Sequence, residues 1–151
     1  MTATDFIVRG LEERDLNEWF QLRKQLWDAT GDDDHQQEML DIINHPETEL
    51  ILVAESDGRL IGFLEASIRP FVEDCLTDNV GYLEGWYVHP DHRRAGVGGE
   101  LVRHAELWAR EKGSTEMASD AEIGNERSLA AHLQLGYIET SRLVHLRKEL
   151  D

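Results

Sequence analysis

The sequence predicts a mixed α/β fold, with one mixed, mostly antiparallel sheet and helices on both of its faces. Three observations lead there. Stretches with helical and strand periodicity follow one another in the order βααβββαβαββ. Ser56-Asp57-Gly58 separates two apolar runs, the mark of a hairpin. The chain has 151 residues, 40% of them apolar, which suits a single domain over 1–151 with one core.

The elements follow in order. Asp5 to Leu11 (DFIVRGL) alternates enough for a first strand. Glu12 to Trp27 carries Leu16, Trp19, Phe20, Leu22, Leu26 and Trp27 at helical spacing, and Gly31 with Asp32, Asp33 and Asp34 breaks that helix. A second helix is expected over Gln36 to Asn44, stopping near Pro46. ELILVAE and RLIGFLEASIR form the hairpin, and Phe71 to Asn79 is a loop. Gly81 to Val88 (GYLEGWYV) is a strand whose internal glycine suggests a bulge or a close backbone approach. Leu101, Val102, Ala105, Leu107 and Trp108 mark a helix ending at Lys112-Gly113. STEMASD is a short strand, and NERSLAAHLQLGY a helix capped by Asn125 and stopped by Gly136. YIETSRLVHLRKEL is expected to supply one or two final strands.

Charge narrows the possible partners. Fifteen Lys and Arg face thirty-one Asp and Glu, a formal charge of −16. Such a surface repels nucleic acid and anionic lipid, so neither is expected as a partner. It serves solubility, or gathers a polycationic substrate. No signal peptide is recognisable and no apolar run approaches ~18 residues, so a soluble, cytoplasmic chain is expected. Cys75 stands alone, which excludes an internal disulfide; it is a reactive thiol or an ordinary loop or core residue. GDDDHQQE lacks EF-hand spacing, and there is neither His-Glu-x-x-His nor a cysteine pair, so no metal is expected. Its acids suit a helix entry.

HPDHRRAGVGGEL, His89 to Leu101, sets poor helix formers in front of a good amphipathic run. A helix start offers unpaired N–H groups and a positive dipole end, where anions bind if the backbone can come close. Gly96, Gly98 and Gly99 remove side chains there, and Arg93 and Arg94 add positive charge. The stretch reads as a pyrophosphate cradle or as a flexible basic loop. It has neither the Gly-Lys-Ser/Thr ending of a P-loop nor a first-strand dinucleotide fingerprint.

Arg93, Gly96 and Gly98 fit Arg/Gln-x-x-Gly-x-Gly/Ala, which resembles the coenzyme A site of the GCN5-related N-acetyltransferase (GNAT) family. The resemblance implies that fold, in which the strand before the cradle, here Leu83 to Val88, splays from a parallel neighbour. It implies acetyl-CoA as donor, held by Trp86, Tyr87, Val88, Arg93, Arg94, Ala95, Gly96, Val97, Gly98 and Gly99. Asn125-x-x-Ser128-x-x-x-His132-x-x-x-Gly136-Tyr137 looks like the family's later segment. There Asn125 would touch the cofactor, and His132 stands where a tyrosine often protonates the departing thiolate. His132 titrates in a suitable range for that role, or simply packs its helix.

LRKQLW, LEG and EMASD resemble the aminoglycoside 6'-N-acetyltransferases, resistance enzymes of that family. The likeness implies an amine site made of Trp27, Glu84 and Asp120, with Phe71 as a wall and a further acid at Glu139 unless Ser141 takes that place. Aminoglycosides carry several ammonium groups, which suit carboxylates and a flat aromatic face. Bland readings stand beside these: Trp27 in the core, Asp120 in a turn, Glu84 on a solvated strand. The implied reaction is direct transfer. Glu84 deprotonates the amine directly or through a water, and the Val88 N–H polarises the thioester carbonyl. Solvent, His132 or a tyrosine protonates the leaving thiolate. Related enzymes are often dimers, and the alternation in SRLVHLRKEL suits a strand paired across an interface, so a homodimer is expected. An acetyltransferase for a polyamine or a protein N-terminus, and a non-catalytic coenzyme A sensor, remain as other readings.

Overall fold

The computed structural model describes residues 5–151; residues 1–4 of the expected 1–151 domain lie outside them. The chain falls into a larger unit ending at Ser119 and a smaller one from Asp120 to Asp151. The larger unit holds five strands: β1 (Ile7–Gly10), β2 (Glu49–Ser56), β3 (Arg59–Arg69), β4 (Val80–Val88) and β5 (Met117–Ser119). It also holds α1 (Leu16–Leu26), α2 (Asp32–Asn44) and α3 (Val97–Glu111). The sheet runs β1-β2-β3-β4-β5, antiparallel through β4 and parallel between β4 and β5. It is the mixed sheet the periodicities predict.

The sheet's two faces have different helices. Trp19 and Leu22 of α1 and Met39 of α2 pack with Val53, Leu60 and Phe63, with Trp27 and Tyr87 at the edge of that cluster. Alternation turns Trp86 to the opposite face, where α3 lies with Gly98 against the Trp86 ring and Ala109 against Gly81. A Cβ on Gly81 would stand 2.8 Å from that of Ala109.

Two features of β4 prepare the site. The register jumps from Glu65↔Gly85 to Ala66↔Leu83, so Glu84 is an extra, bulged residue. The interior glycine also permits a close approach: a Cβ on Gly85 would lie 2.2 Å from Cη2 of Trp27. Both consequences expected of Gly85 therefore occur. Pairing with β5 stops at Leu83↔Ser119, while β4 continues to Val88.

Some boundaries move. α2 begins at Asp32, four residues before Gln36, because the three aspartates form its first turn and face the positive dipole end. A 3₁₀ turn at Glu13–Asp15 precedes α1. In the smaller unit α4 (Glu126–Gln134) is capped by the Asn125 side chain, which accepts from the Ser128 N–H at 3.2 Å. It ends where Gly136 takes φ +95°. The one or two strands expected over 137–150 are not formed. Alternation selects which side chains would share a face, but a strand also needs neighbouring backbone groups to pair with. Here Ile138, Val144, Leu146 and Leu150 stay at least 80% exposed.

Candidate active site

On the face covered by α1 and α2 the sheet carries a cleft of about 470 Å³. Arg23, Trp27 and Thr30 line it from α1 and the turn that follows, Glu38, Asp41 and Ile42 from α2, and Glu65 and Glu84 from the sheet. Four carboxylates and one guanidinium surround an indole ring, an environment suited to a cation with an apolar body.

A buried network holds the cleft together. Arg23 Nη1 donates to Glu65 Oε1 and Oε2 at 2.5 and 2.6 Å, and Trp19 Nε1 donates to Oε2 at 2.9 Å. Arg23 also donates through Nη2 to Glu38 at 3.0 Å and through Nε to His35 Nδ1 at 3.1 Å. Because His35 Nδ1 accepts, its Nε2 carries the proton and donates to the Trp27 carbonyl at 3.2 Å. The Arg23 guanidinium lies 4.7 Å from the centre of the Trp27 ring. One cation thus fixes Trp27, Glu38 and Glu65. Burial pushes the Glu65 carboxyl up, against the opposing pull of Arg23 and Trp19. Burial also raises Glu49, helped by the charges of Glu84 and Glu65 and opposed by His45 and Arg69.

Glu84 sits in this acidic surround with both oxygens engaged. Arg69 donates to it in a bidentate pair at 2.6 and 2.8 Å, and Ser67 Oγ donates at 2.6 Å.

The far end of β4 is built for an extended ligand. His89 N–H donates to Ile61 O at 2.7 Å, so ladder alternation turns the Val88 N–H and C=O to the opposite edge, where β5 has ended. Arg93 Nε donates to that Val88 carbonyl at 2.8 Å, and its guanidinium lies 5.5 Å from the Tyr87 ring centre. Arg93 therefore braces the strand end. Gly96, at φ +85°, starts α3, and the early N–H groups of Val97, Gly98 and Gly99 precede the first helical acceptors. Gly96 is needed for its φ and Gly98 for the Trp86 ring, 3.0 Å from a would-be Cβ. Exposed Arg94 adds charge in a left-handed conformation, φ +68°, beside exposed Ala95. An open strand edge leading to glycine-freed amides and arginines fits an extended donor ending in phosphates.

Other expected residues are placed as follows. Phe71 is 69% exposed in the loop after β3 and does not line the cleft. Glu116 pins that loop by accepting from the N–H groups of Leu76 and Thr77. In the smaller unit Asp120 is exposed, and exposed Glu139 pairs with Arg142. His132 donates from Nδ1 to the Ser128 carbonyl at 2.7 Å, with its ring edge-on to Tyr137 at 5.8 Å. Cys75 has its thiol pushed up by burial and by Glu116, which disfavours a nucleophilic thiolate. No group of metal-ligating side chains occurs among the described residues, and no helix there is long and apolar enough to cross a membrane. Sequence reasoning missed Arg23, Glu38, Asp41 and Glu65. Glu65 was visible as the one carboxylate inside the apolar run LIGFLEASI.

Together the open strand edge, the glycine-started helix and the carboxylate-lined cleft define an acyltransferase with an extended donor and a cationic acceptor. Residues 15–137 match the model of the Acetyltransferase (GNAT) family, and the chain belongs to that family. An aminoglycoside N(6')-acetyltransferase type 1 of Klebsiella aerogenes is 43% identical over 148 residues, 95% of this chain and 97% of the relative. The apo aminoglycoside 6'-N-acetyltransferase of Acinetobacter haemolyticus superposes with TM-score 0.90 at 42% identity, covering 96% of this chain and 99% of that one. A related enzyme, AAC(6')-Iy, solved with the bisubstrate analogue CoA-S-monomethyl-acetylneamine, gives TM-score 0.92 at 36% identity, covering 97% and 100%.

Proposed function

We propose that the chain is an aminoglycoside 6'-N-acetyltransferase, moving acetyl from acetyl-CoA to a primary amine of the antibiotic by direct transfer. The observation that carries this reading is the cleft in which Glu84, Glu65, Glu38 and Asp41 gather around Trp27. The names of the relatives support it.

In this account the α3 amides, with Arg93 and Arg94, hold the donor's phosphates, and the backbone from Trp86 to Val88 guides its arm. The carboxylates bind the sugar's ammonium groups and Trp27 stacks on its apolar body. Glu84 takes a proton from the amine, whose nitrogen forms a bond to the acetyl carbon as the carbon–sulfur bond breaks. The Val88 N–H stabilises negative charge developing on the carbonyl oxygen. The leaving thiolate takes a proton from solvent or His132. On the resemblance of the sequence motifs alone, Asp120 and Glu139 are assigned to amine binding and Asn125 to the donor, while Phe71, which does not line the cleft, is left out of the site. The unit of function is one acetyltransferase domain over 1–151, working as a cytoplasmic homodimer; the exposed apolar side chains of the C-terminal segment support that assembly.

Coenzyme A release measured with kanamycin and tobramycin, beside spermidine and a peptide panel, tests the reading. Turnover should be confined to the aminoglycosides. Turnover only with spermidine or peptides would replace the substrate class, and none with any amine despite saturable cofactor binding would favour a sensor.

A further inference from the structure

We infer that Arg69, steadied by Tyr82 and assisted by Ser67, is a positioning residue that aims one oxygen of Glu84 at the substrate amine. The inference rests on the acetyl-transfer reading above.

Glu84 is the extra residue of the β3–β4 bulge, so the regular pleat does not by itself fix where its carboxylate points. Two side chains on one face of β3 do. Ser67 Oγ donates to Oε2 at 2.6 Å and Arg69 Nε donates to the same oxygen at 2.8 Å. Arg69 Nη2 donates to Oε1 at 2.6 Å. A carboxylate oxygen has two acceptor positions. Oε2 is therefore filled, while Oε1 keeps one position, on a residue that lines the cleft. That position is where a donor N–H from the amine docks, and it is the route for the amine's proton.

Arg69 has its own support. Its Cζ lies 3.5 Å from the centre of the Tyr82 ring, and Tyr82 is the cross-strand partner of Ser67. The Arg69 side chain is 42% exposed, and ion pairs this open contribute little to stability. A two-pronged contact on the one bulged carboxylate of the cleft therefore serves aim more than folding. Without it, Ser67 alone would hold Glu84 through Oε2, and nothing would fix where Oε1 points.

The test compares wild type with Arg69→Ala, Arg69→Lys and Ser67→Ala in coenzyme A release with kanamycin. Each substrate is varied in turn, with and without millimolar guanidinium chloride, after circular dichroism confirms folding. Arg69→Ala should raise the amine KM on the order of tenfold, as the loss of one well-aimed contact to the ammonium would. The acetyl-CoA KM should stay within about twofold, well below the tenfold that 1.4 kcal/mol would give. Guanidinium should restore part of the lost kcat/KM in Arg69→Ala and none in wild type. Arg69→Lys and Ser67→Ala should show smaller rises of the same kind. An unchanged amine KM in Arg69→Ala, or a loss shared by both substrates and not rescued, overturns the inference while normal wild-type turnover leaves the acetyl-transfer reading standing. A wild-type protein that acetylates no aminoglycoside overturns that reading, and the inference with it.

Discussion

Replacing Gly85 with alanine should damage the amine site while sparing the donor site. The new Cβ would lie 2.2 Å from Trp27 Cη2 and 2.5 Å from Cζ2. Ordinary carbon contacts begin near ~3.5 Å, so the indole must retreat by more than an ångström. It has little room to do so. Phe63 meets it edge-on at 6.1 Å between ring centres, and the Arg23 guanidinium lies 4.7 Å from its ring centre. Overpacking of this kind costs about 1–3 kcal/mol. At roughly 2–4 °C per kcal/mol for a chain of this size, Tm should fall by about 2–12 °C. The displaced indole is a wall of the cleft, so the amine KM should rise on the order of tenfold, equivalent to about 1.4 kcal/mol of lost contact. Thermal unfolding followed by circular dichroism gives the first quantity, and coenzyme A release with each substrate varied gives the second. Unchanged Tm and amine KM would refute the reasoning, as would an acetyl-CoA KM that rises as far as the amine KM.

Four further outcomes follow from the same contacts. Arg23→Met strands the buried Glu65 charge and should cost about 3–5 kcal/mol in urea unfolding, with part recovered by adding Glu65→Gln. Gly98→Ala presses on Trp86 at the start of α3, so it should raise the acetyl-CoA KM and leave the amine KM nearly unchanged. Cys75→Ser should keep full turnover in the same assay, because the proposed transfer is direct and the thiol is pushed up by burial and by Glu116. Asp15 accepts from both terminal nitrogens of Arg9, which lowers its carboxyl below 3.8. A depressed folded value stabilises above the unfolded one and is lost as pH falls through the folded one. Asp15→Asn should therefore lower Tm at pH 7, and the gap should shrink below pH 3.8 in a pH series of melting curves.

Much of the fold was legible because its signals are local. The Asp57-Gly58 turn, the Asn125 cap and the Gly113 and Gly136 stops each depend on a few adjacent residues. The interior glycine of GYLEGWYV correctly announced an irregular β4, yet only the register identifies Glu84 as the bulged residue. The Arg23–Glu65–His35 network joins segments twelve to forty-two residues apart, and no spacing rule connects an arginine on a helix stripe to a glutamate inside a buried strand. The stretch was read as the mouth of a helix, and α3 starts there; two of its glycines also have local reasons that the sequence did not show. Gly96 answers to its φ and Gly98 to the Trp86 ring, and Arg93 turns back onto Val88. The C-terminal segment failed as a strand because alternation is a statement about faces, whereas a ladder needs a partner.

The most direct test of the central claim is the position of the acetyl group on the product. NMR of kanamycin incubated with the protein and acetyl-CoA should show one acetyl group, on the 6' nitrogen. Unmodified kanamycin, under conditions where the same preparation acetylates some other amine, would contradict the account.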